Sequence, residues 1–258
     1  MKICGFNKTT LLDYPGRVAC TIFLGGCNFR CPFCQNGALV VEPDTQYGYS
    51  EDEILAFLKK RKGILDGVCV SGGEPTLAPE LPEFLGRIRE LGYDIKLDTN
   101  GSRPSVVKKL AADGLINKVA MDIKACPSNY HVLTGVNVNL DAIRETAGWL
   151  CSGDLDYEFR TTVVRELHSE NDFLEISQWL RGAKAYYLQA YRDSEGVLMP
   201  GFSSCSEEEM KNLFPYALEA LENTQKIADR CHVEIEFGVT KLPKYDVPEG
   251  YTSWEYLN

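Results

Sequence analysis

Short β-branched or apolar runs alternate with amphipathic stretches almost from end to end of this chain, and that alternation commits it to βαβ units and a parallel sheet. The runs predict strands over 18–24, 67–71, 93–98, 118–123, 157–164, 183–190 and 233–237. Between them, Ser50-Glu51-Asp52-Glu53 reads as a capping box opening a helix over 51–62, and Gly92 closes the next helix. Further helices are predicted over 104–113, 140–150, 170–180 and 207–230, the last kinked at Pro215. No internal repeat, low-complexity tract or linker divides the chain. Residues 1–238 are therefore expected to form one core domain, followed by a tail over 239–258 rich in Pro, Gly and Tyr.

The chemically loaded runs all fall at the C-terminal ends of predicted strands. Gly25-Gly26-Cys27 follows the first, Ser71-Gly72-Gly73-Glu74 the second, Asp98-Thr99-Asn100-Gly101 the third and Asp122-Ile123-Lys124 the fourth, while Gln189 ends the sixth. In parallel α/β barrels and sheets those ends converge on one face, where ligands bind. Distant segments are thus expected to share one pocket.

Composition narrows the setting. A formal charge of -10 argues against nucleic-acid binding, which needs a surplus of Lys and Arg on some face. The basic run Lys59-Lys60-Arg61-Lys62 ends a predicted helix, where cations complement the macrodipole. No stretch reaches the ~18 apolar residues of a membrane span, and the opening residues lack the apolar segment of a signal peptide, so a cytoplasmic protein without membrane contact is expected. Of ten cysteines, seven are scattered and three crowd into eight residues. Scattered thiols suit a reducing compartment, where they pack as small hydrophobes.

The crowded three are Cys27, Cys31 and Cys34, spaced C-x3-C-x2-C after a Gly-Gly turn, so that their thiolates can wrap one compact centre. A structural zinc would want a fourth ligand, and the only histidines, His131, His168 and His232, are far off in sequence. A cubane iron–sulfur cluster held by three cysteines leaves one iron open to a ligand. Phe33 between two of the cysteines reads either as core or as a lid over the centre. Gly72 and Gly73 read as a turn or as a place where a ligand approaches backbone, with Glu74 accepting from an ammonium group. Asp98, Thr99 and Asn100 read as a turn or as a site for ribose hydroxyls or a cation. Asp122 and Lys124, two apart, fall on one face if the strand continues that far, as an ion pair or a carboxylate site, and Arg160, if it points inward, needs an anion. Gln189 is a further candidate.

The cysteine spacing, the Gly-Gly-Glu-Pro run and Asp-Thr-Asn-Gly together resemble the radical S-adenosylmethionine superfamily, in order over residues 27–124. Within it the chain is most similar to the glycyl-radical-enzyme activases, and among them to the anaerobic ribonucleoside-triphosphate reductase activating proteins. Leu12-Asp13-Tyr14-Pro15-Gly16, Cys34-Gln35-Asn36 and Met121-Asp122-Ile123-Lys124 carry that similarity, although Gln35 stands where these activases commonly have His. The resemblance implies an α/β fold of the partial (β/α)6 TIM-like barrel type. It implies one 4Fe–4S cluster on Cys27, Cys31 and Cys34, with S-adenosylmethionine on the fourth iron. Gly72, Gly73 and Glu74 would hold the methionine amine, Lys124 and Arg160 its carboxylate, and Asp98, Thr99 and Asn100 the ribose or, with Asp122, a monovalent cation. The implied partners are a glycyl radical enzyme and a one-electron donor such as flavodoxin or ferredoxin. Two other readings stay open: a radical enzyme acting on a small molecule or peptide, and a metal-stapled binding or redox-sensing protein.

Overall fold

A computed structural model describes residues 1–46, 48–193, 197–215 and 217–230. The chain divides into two compact units, Met1–Pro215 and Tyr216–Asn258. The first is built on one seven-stranded sheet in the order β1-β2-β3-β4-β5-β6-β7. Its strands are β1 (Ile3–Thr10), β2 (Ala19–Leu24), β3 (Gly67–Gly72), β4 (Asp94–Thr99), β5 (Lys118–Asp122), β6 (Asp156–Val163) and β7 (Tyr186–Ala190). β1 runs antiparallel to β2, and every later neighbour is parallel. The helices α1 (Gly37–Val41), α2 (Glu51–Lys60), α3 (Leu81–Glu90), α4 (Pro104–Ala112), α5 (Tyr130–Thr134), α6 (Leu140–Ser152), α7 (Glu170–Trp179) and α8 (Glu207–Leu213) complete this unit. Strand following strand through helical crossovers gives the expected partial (β/α) barrel.

Local chemistry explains the elements. α2 starts where Ser50 Oγ accepts from Glu53 N–H at 3.2 Å while Ser50 N–H donates to the Glu53 carboxylate at 2.7 Å, the reciprocal box expected from the sequence. Ile54, Leu55 and Leu58 of α2, and Leu81, Phe84, Leu85 and Ile88 of α3, form buried helix faces. Ile95, Leu97, Val119 and Phe159 are likewise fully buried, on the strand face opposite the barrel interior.

Two expectations change. β1 was not foreseen, because Ile3-Cys4-Gly5-Phe6-Asn7-Lys8-Thr9-Thr10 lacks sustained alternation and only its ends are buried. The single helix over 207–230 is instead interrupted, α8 ending at Leu213 and α9 (Leu218–Arg230) starting beyond Pro215. Proline has no N–H to give and its ring clashes with the carbonyl four residues back, so the break replaces a kink. α9 is the described part of the second unit. The strand expected over 233–237 and the tail over 239–258 lie outside the described residues. Among the described residues no helix is long and apolar enough to cross a membrane.

Candidate active site

At the C-terminal ends of the parallel strands a cavity of about 210 Å³ opens. The loop after β2 forms one wall, with Cys27, Cys31 and Cys34 all facing the cavity. That loop is tied down on several sides by its backbone. Arg30 N–H donates to Thr134 O at the end of α5 (2.8 Å), Leu198 N–H to Cys34 O (2.9 Å) and Met199 N–H to Pro32 O (2.9 Å). Gly135 follows α5 at φ 66°, and a Cβ there would stand 2.3 Å from Arg30 O, so the brace closes only with glycine.

Burial raises the Cys27 thiol above the ordinary cysteine range and pushes Cys31 up to about 12, with Lys124 pulling the Cys31 value back. Phe29 N–H donates to Cys27 Sγ at 3.3 Å, an amide aimed at a sulfur. Thiols of this kind give up their protons to a bound metal. Among the described residues no three His, Cys, Asp or Glu side chains converge tightly enough to hold a single metal ion. The soft three-sulfur donor set of Cys27, Cys31 and Cys34 beside an open cavity fits a cubane cluster with one exposed iron.

Against the cysteine loop lie the β3 and β4 loops. Gly73 N–H donates to Leu24 O and Glu74 N–H to Gly26 O, each at 2.8 Å. A Cβ on Gly73 would come within 2.0 Å of Gly26 O, so the two loops meet backbone to backbone. Asn36 Nδ2 donates to Gly72 O at 3.1 Å, and Asn28 Oδ1 accepts from Asn100 Nδ2 at 2.9 Å. The cysteine loop is thereby fastened to both.

All the residues expected from the sequence line this cavity except Glu74. Phe33 lines it while packing edge-on against His168, ring centroids 6.5 Å apart. His168 is buried, which lowers its pKa. Glu74, 2 % exposed, points into the protein instead: Oε1 accepts from Thr76 N–H, Thr76 Oγ and Thr99 Oγ at 3.1, 2.5 and 2.8 Å, and Oε2 from Asn100 N–H at 2.6 Å. Burial raises its pKa and the four donors hold the rise in check. A buried carboxylate that accepts four hydrogen bonds from its own loop and the next holds the β3 loop to the β4 loop.

On the floor, Arg160 Nε lies 2.9 Å from Asp122 Oδ1, Lys124 Nζ 3.0 Å from Asp122 Oδ2, and Arg160 Nη2 3.3 Å from Asp98 Oδ2. Burial works against the charge of Asp122, yet Arg160 and Lys124 hold its carboxyl well below the usual range. Burial likewise opposes the charge of Lys124, and Asp122 more than restores it. Gln189 on β7 faces the same space. Ser71, Asn36 and Thr162, which are not among the candidates read from the sequence, also line the cavity. Signals for them existed: Ser71 opens the Gly-Gly run, Asn36 ends the cysteine run, and Thr162 follows Arg160 by two on the same strand face.

The sequence model of the Radical SAM superfamily matches residues 21–180. A Methanocaldococcus jannaschii protein, provisionally named a glycyl-radical enzyme activating enzyme, is 28% identical over 231 residues, covering 86% of this chain and 93% of its own length. A second protein of that organism with the same provisional name is 33% identical over 180 residues, 67% of this chain and 63% of its own. Among solved structures, Streptococcus suis SuiB superposes with a TM-score of 0.61 at 17% identity, over 80% of this chain and 46% of SuiB. This chain therefore spans about half of SuiB, and the likeness is one of fold. With the family match covering more than half of its length, the chain belongs to the radical S-adenosylmethionine superfamily, whose members work with a 4Fe–4S cluster and S-adenosylmethionine.

Proposed function

We propose that this chain generates a glycyl radical on a partner enzyme, an anaerobic ribonucleoside-triphosphate reductase, with an electron drawn from a flavodoxin or ferredoxin in the cytoplasm. The observation that carries the reading is the similarity across 93% of a relative's length to a protein provisionally named for glycyl-radical enzyme activation. The cysteine-walled cavity supports it. In this reading Cys27, Cys31 and Cys34 hold one cluster. Bound there, the cluster would supply the single electron for reductive cleavage of S-adenosylmethionine, the source of the radical chemistry directed at a glycine Cα.

The chain's own groups bind and orient. The Gly72 and Gly73 backbone receives the methionine amine, Lys124 and Arg160 the carboxylate, and Asp98, Thr99 and Asn100 the ribose. Glu74 acts on that amine only through the loop it fastens. Asp98 and Asp122 are also the carboxylates that a monovalent cation would meet, in competition with Arg160 and Lys124. Phe33 and Gln189 close the sides of the cavity, restricting water.

The test is anaerobic. Protein reconstituted with iron and sulfide, reduced and given S-adenosylmethionine, is expected to form 5′-deoxyadenosine, and Cys31→Ala to form none. Addition of the reductase is then expected to yield a glycyl radical signal in electron paramagnetic resonance. No 5′-deoxyadenosine from a loaded wild-type cluster sinks the radical reading. Turnover of a small molecule without any partner sinks the activase reading alone.

A further inference from the structure

Barrel interiors of this kind are usually filled by branched apolar side chains. This one carries a file of alternating charges. Lys118 Nζ lies 3.2 Å from Glu158 Oε2, and Lys96 Nζ lies 3.7 Å from Glu158 Oε1 and 2.5 Å from Asp98 Oδ1. Asp98 Oδ2 then meets Arg160 at 3.3 Å, Arg160 Nε meets Asp122 Oδ1 at 2.9 Å, and Asp122 Oδ2 meets Lys124 Nζ at 3.0 Å. Glu158, Asp98 and Asp122 each give one oxygen to one cation of the file and the other oxygen to the next.

The upper members line the cavity, whereas Lys96 and Glu158 lie beneath it, 0 % and 5 % exposed. Burying such ions costs several kcal/mol each, and apolar residues of like volume often serve stability as well or better. What the file supplies is direction. An unshared carboxylate takes a guanidinium through both oxygens at once, the fork geometry that arginine prefers. Lys96 occupies Oδ1 of Asp98, and Ser71 Oγ donates to Oδ2 at 3.1 Å, so Nη1 and Nη2 of Arg160 both converge on Oδ2 at 3.3 Å and the two-oxygen fork is denied. Its Nε is left for Asp122 at the level of the cavity floor.

We propose that Lys96, backed by Glu158, is a positioning residue for the substrate cavity: by capping Asp98 from below it keeps Arg160 raised beside Asp122 and Lys124, where the carboxylate of an α-amino acid group binds. The inference rests on the radical reading of the site. In Lys96→Met, Asp98 draws Arg160 into a two-point pair and the guanidinium leaves the cavity floor. Neither Lys96 nor Glu158 touches the ligand, so the effect falls on binding and not on the chemical step.

The experiment measures three quantities on reconstituted wild type and Lys96→Met: thermal midpoint, S-adenosylmethionine affinity from the change it makes in the resonance signal of the reduced cluster, and 5′-deoxyadenosine formation at saturating S-adenosylmethionine. The expected result is a Kd and KM raised on the order of tenfold, the scale of one weakened charge-assisted contact, with kcat changed by less than about twofold. A folded Lys96→Met with wild-type Kd overturns the inference, whatever its melting point. Should the single variant not fold, Lys96→Met combined with Glu158→Gln removes one cation and one anion together and carries the same expectation, wild-type Kd again overturning it. A wild type that binds no S-adenosylmethionine sinks the functional reading along with it, whereas normal wild-type binding with an unaffected variant sinks this inference alone.

Discussion

Gly135→Ala is the sharpest available test of how the cysteine loop is held. The residue lies outside the cavity and touches no thiol. At φ 66° an L-residue with a Cβ is strained, costing roughly 1–2 kcal/mol. The new Cβ would also stand 2.3 Å from Arg30 O, so the Arg30 carbonyl or the turn must withdraw by about 1 Å to reach an ordinary contact of about 3.5 Å. That withdrawal strains the neighbouring 2.8 Å bond from Arg30 N–H to Thr134 O, worth about 1 kcal/mol. The sum is about 2–3 kcal/mol, or roughly 4–12 °C in thermal midpoint for a chain of this size. Because Arg30 lies between Cys27 and Cys31, iron content after reconstitution is expected to fall in step. Gly148→Ala serves as the control: nothing lies within 4 Å of its added Cβ, and in the body of α6 it is expected to stabilise by about 0.5–1 kcal/mol. A Gly135→Ala protein with wild-type midpoint and full iron loading would refute the reasoning.

Two further outcomes follow from buried groups. Glu74→Ala strands the Asn100 and Thr76 N–H groups and two hydroxyls, and is expected to cost about 3 kcal/mol or more, read as a lowered melting point of the apoprotein. Loss of S-adenosylmethionine affinity without loss of stability would instead return Glu74 to the role of direct ligand. His168 has its pKa lowered by burial, so below its ordinary 6.5 the unfolded chain takes up a proton that the folded one resists, and stability falls as pH falls through that window. His168→Phe is expected to flatten this part of the profile, and melting curves with equal acid slopes in both proteins would contradict it.

Much of this architecture was legible because strand termini and chemistry coincide. The cysteine run, the Gly-Gly run, Asp98 to Asn100, and Asp122 with Lys124 could be assigned to one pocket from order alone, and they share it. The charged file was not legible for an equally physical reason. Asp94-Ile95-Lys96-Leu97-Asp98 alternates strictly, and alternation gives two faces without saying which is inside. The habitual choice turns charges to water, whereas here Ile95 and Leu97 are buried away from the barrel interior and Lys96 is buried within it. The anchoring of Glu74 is not legible in the sequence because the donors it accepts from include Thr99 and Asn100, contributed by another strand. α5, five residues long, carries too little periodicity to be seen, and with it went the brace at Gly135.

The two backbone bonds from Leu198 and Met199 to the cysteine loop carry a consequence for biogenesis. During synthesis the ribosome releases Cys27 to Cys34 long before the residues that pair with Pro32 and Cys34 have been translated. An iron–sulfur carrier working on the nascent chain therefore meets a loop free on that side. A carrier working on the finished protein meets it already latched by Leu198 and Met199.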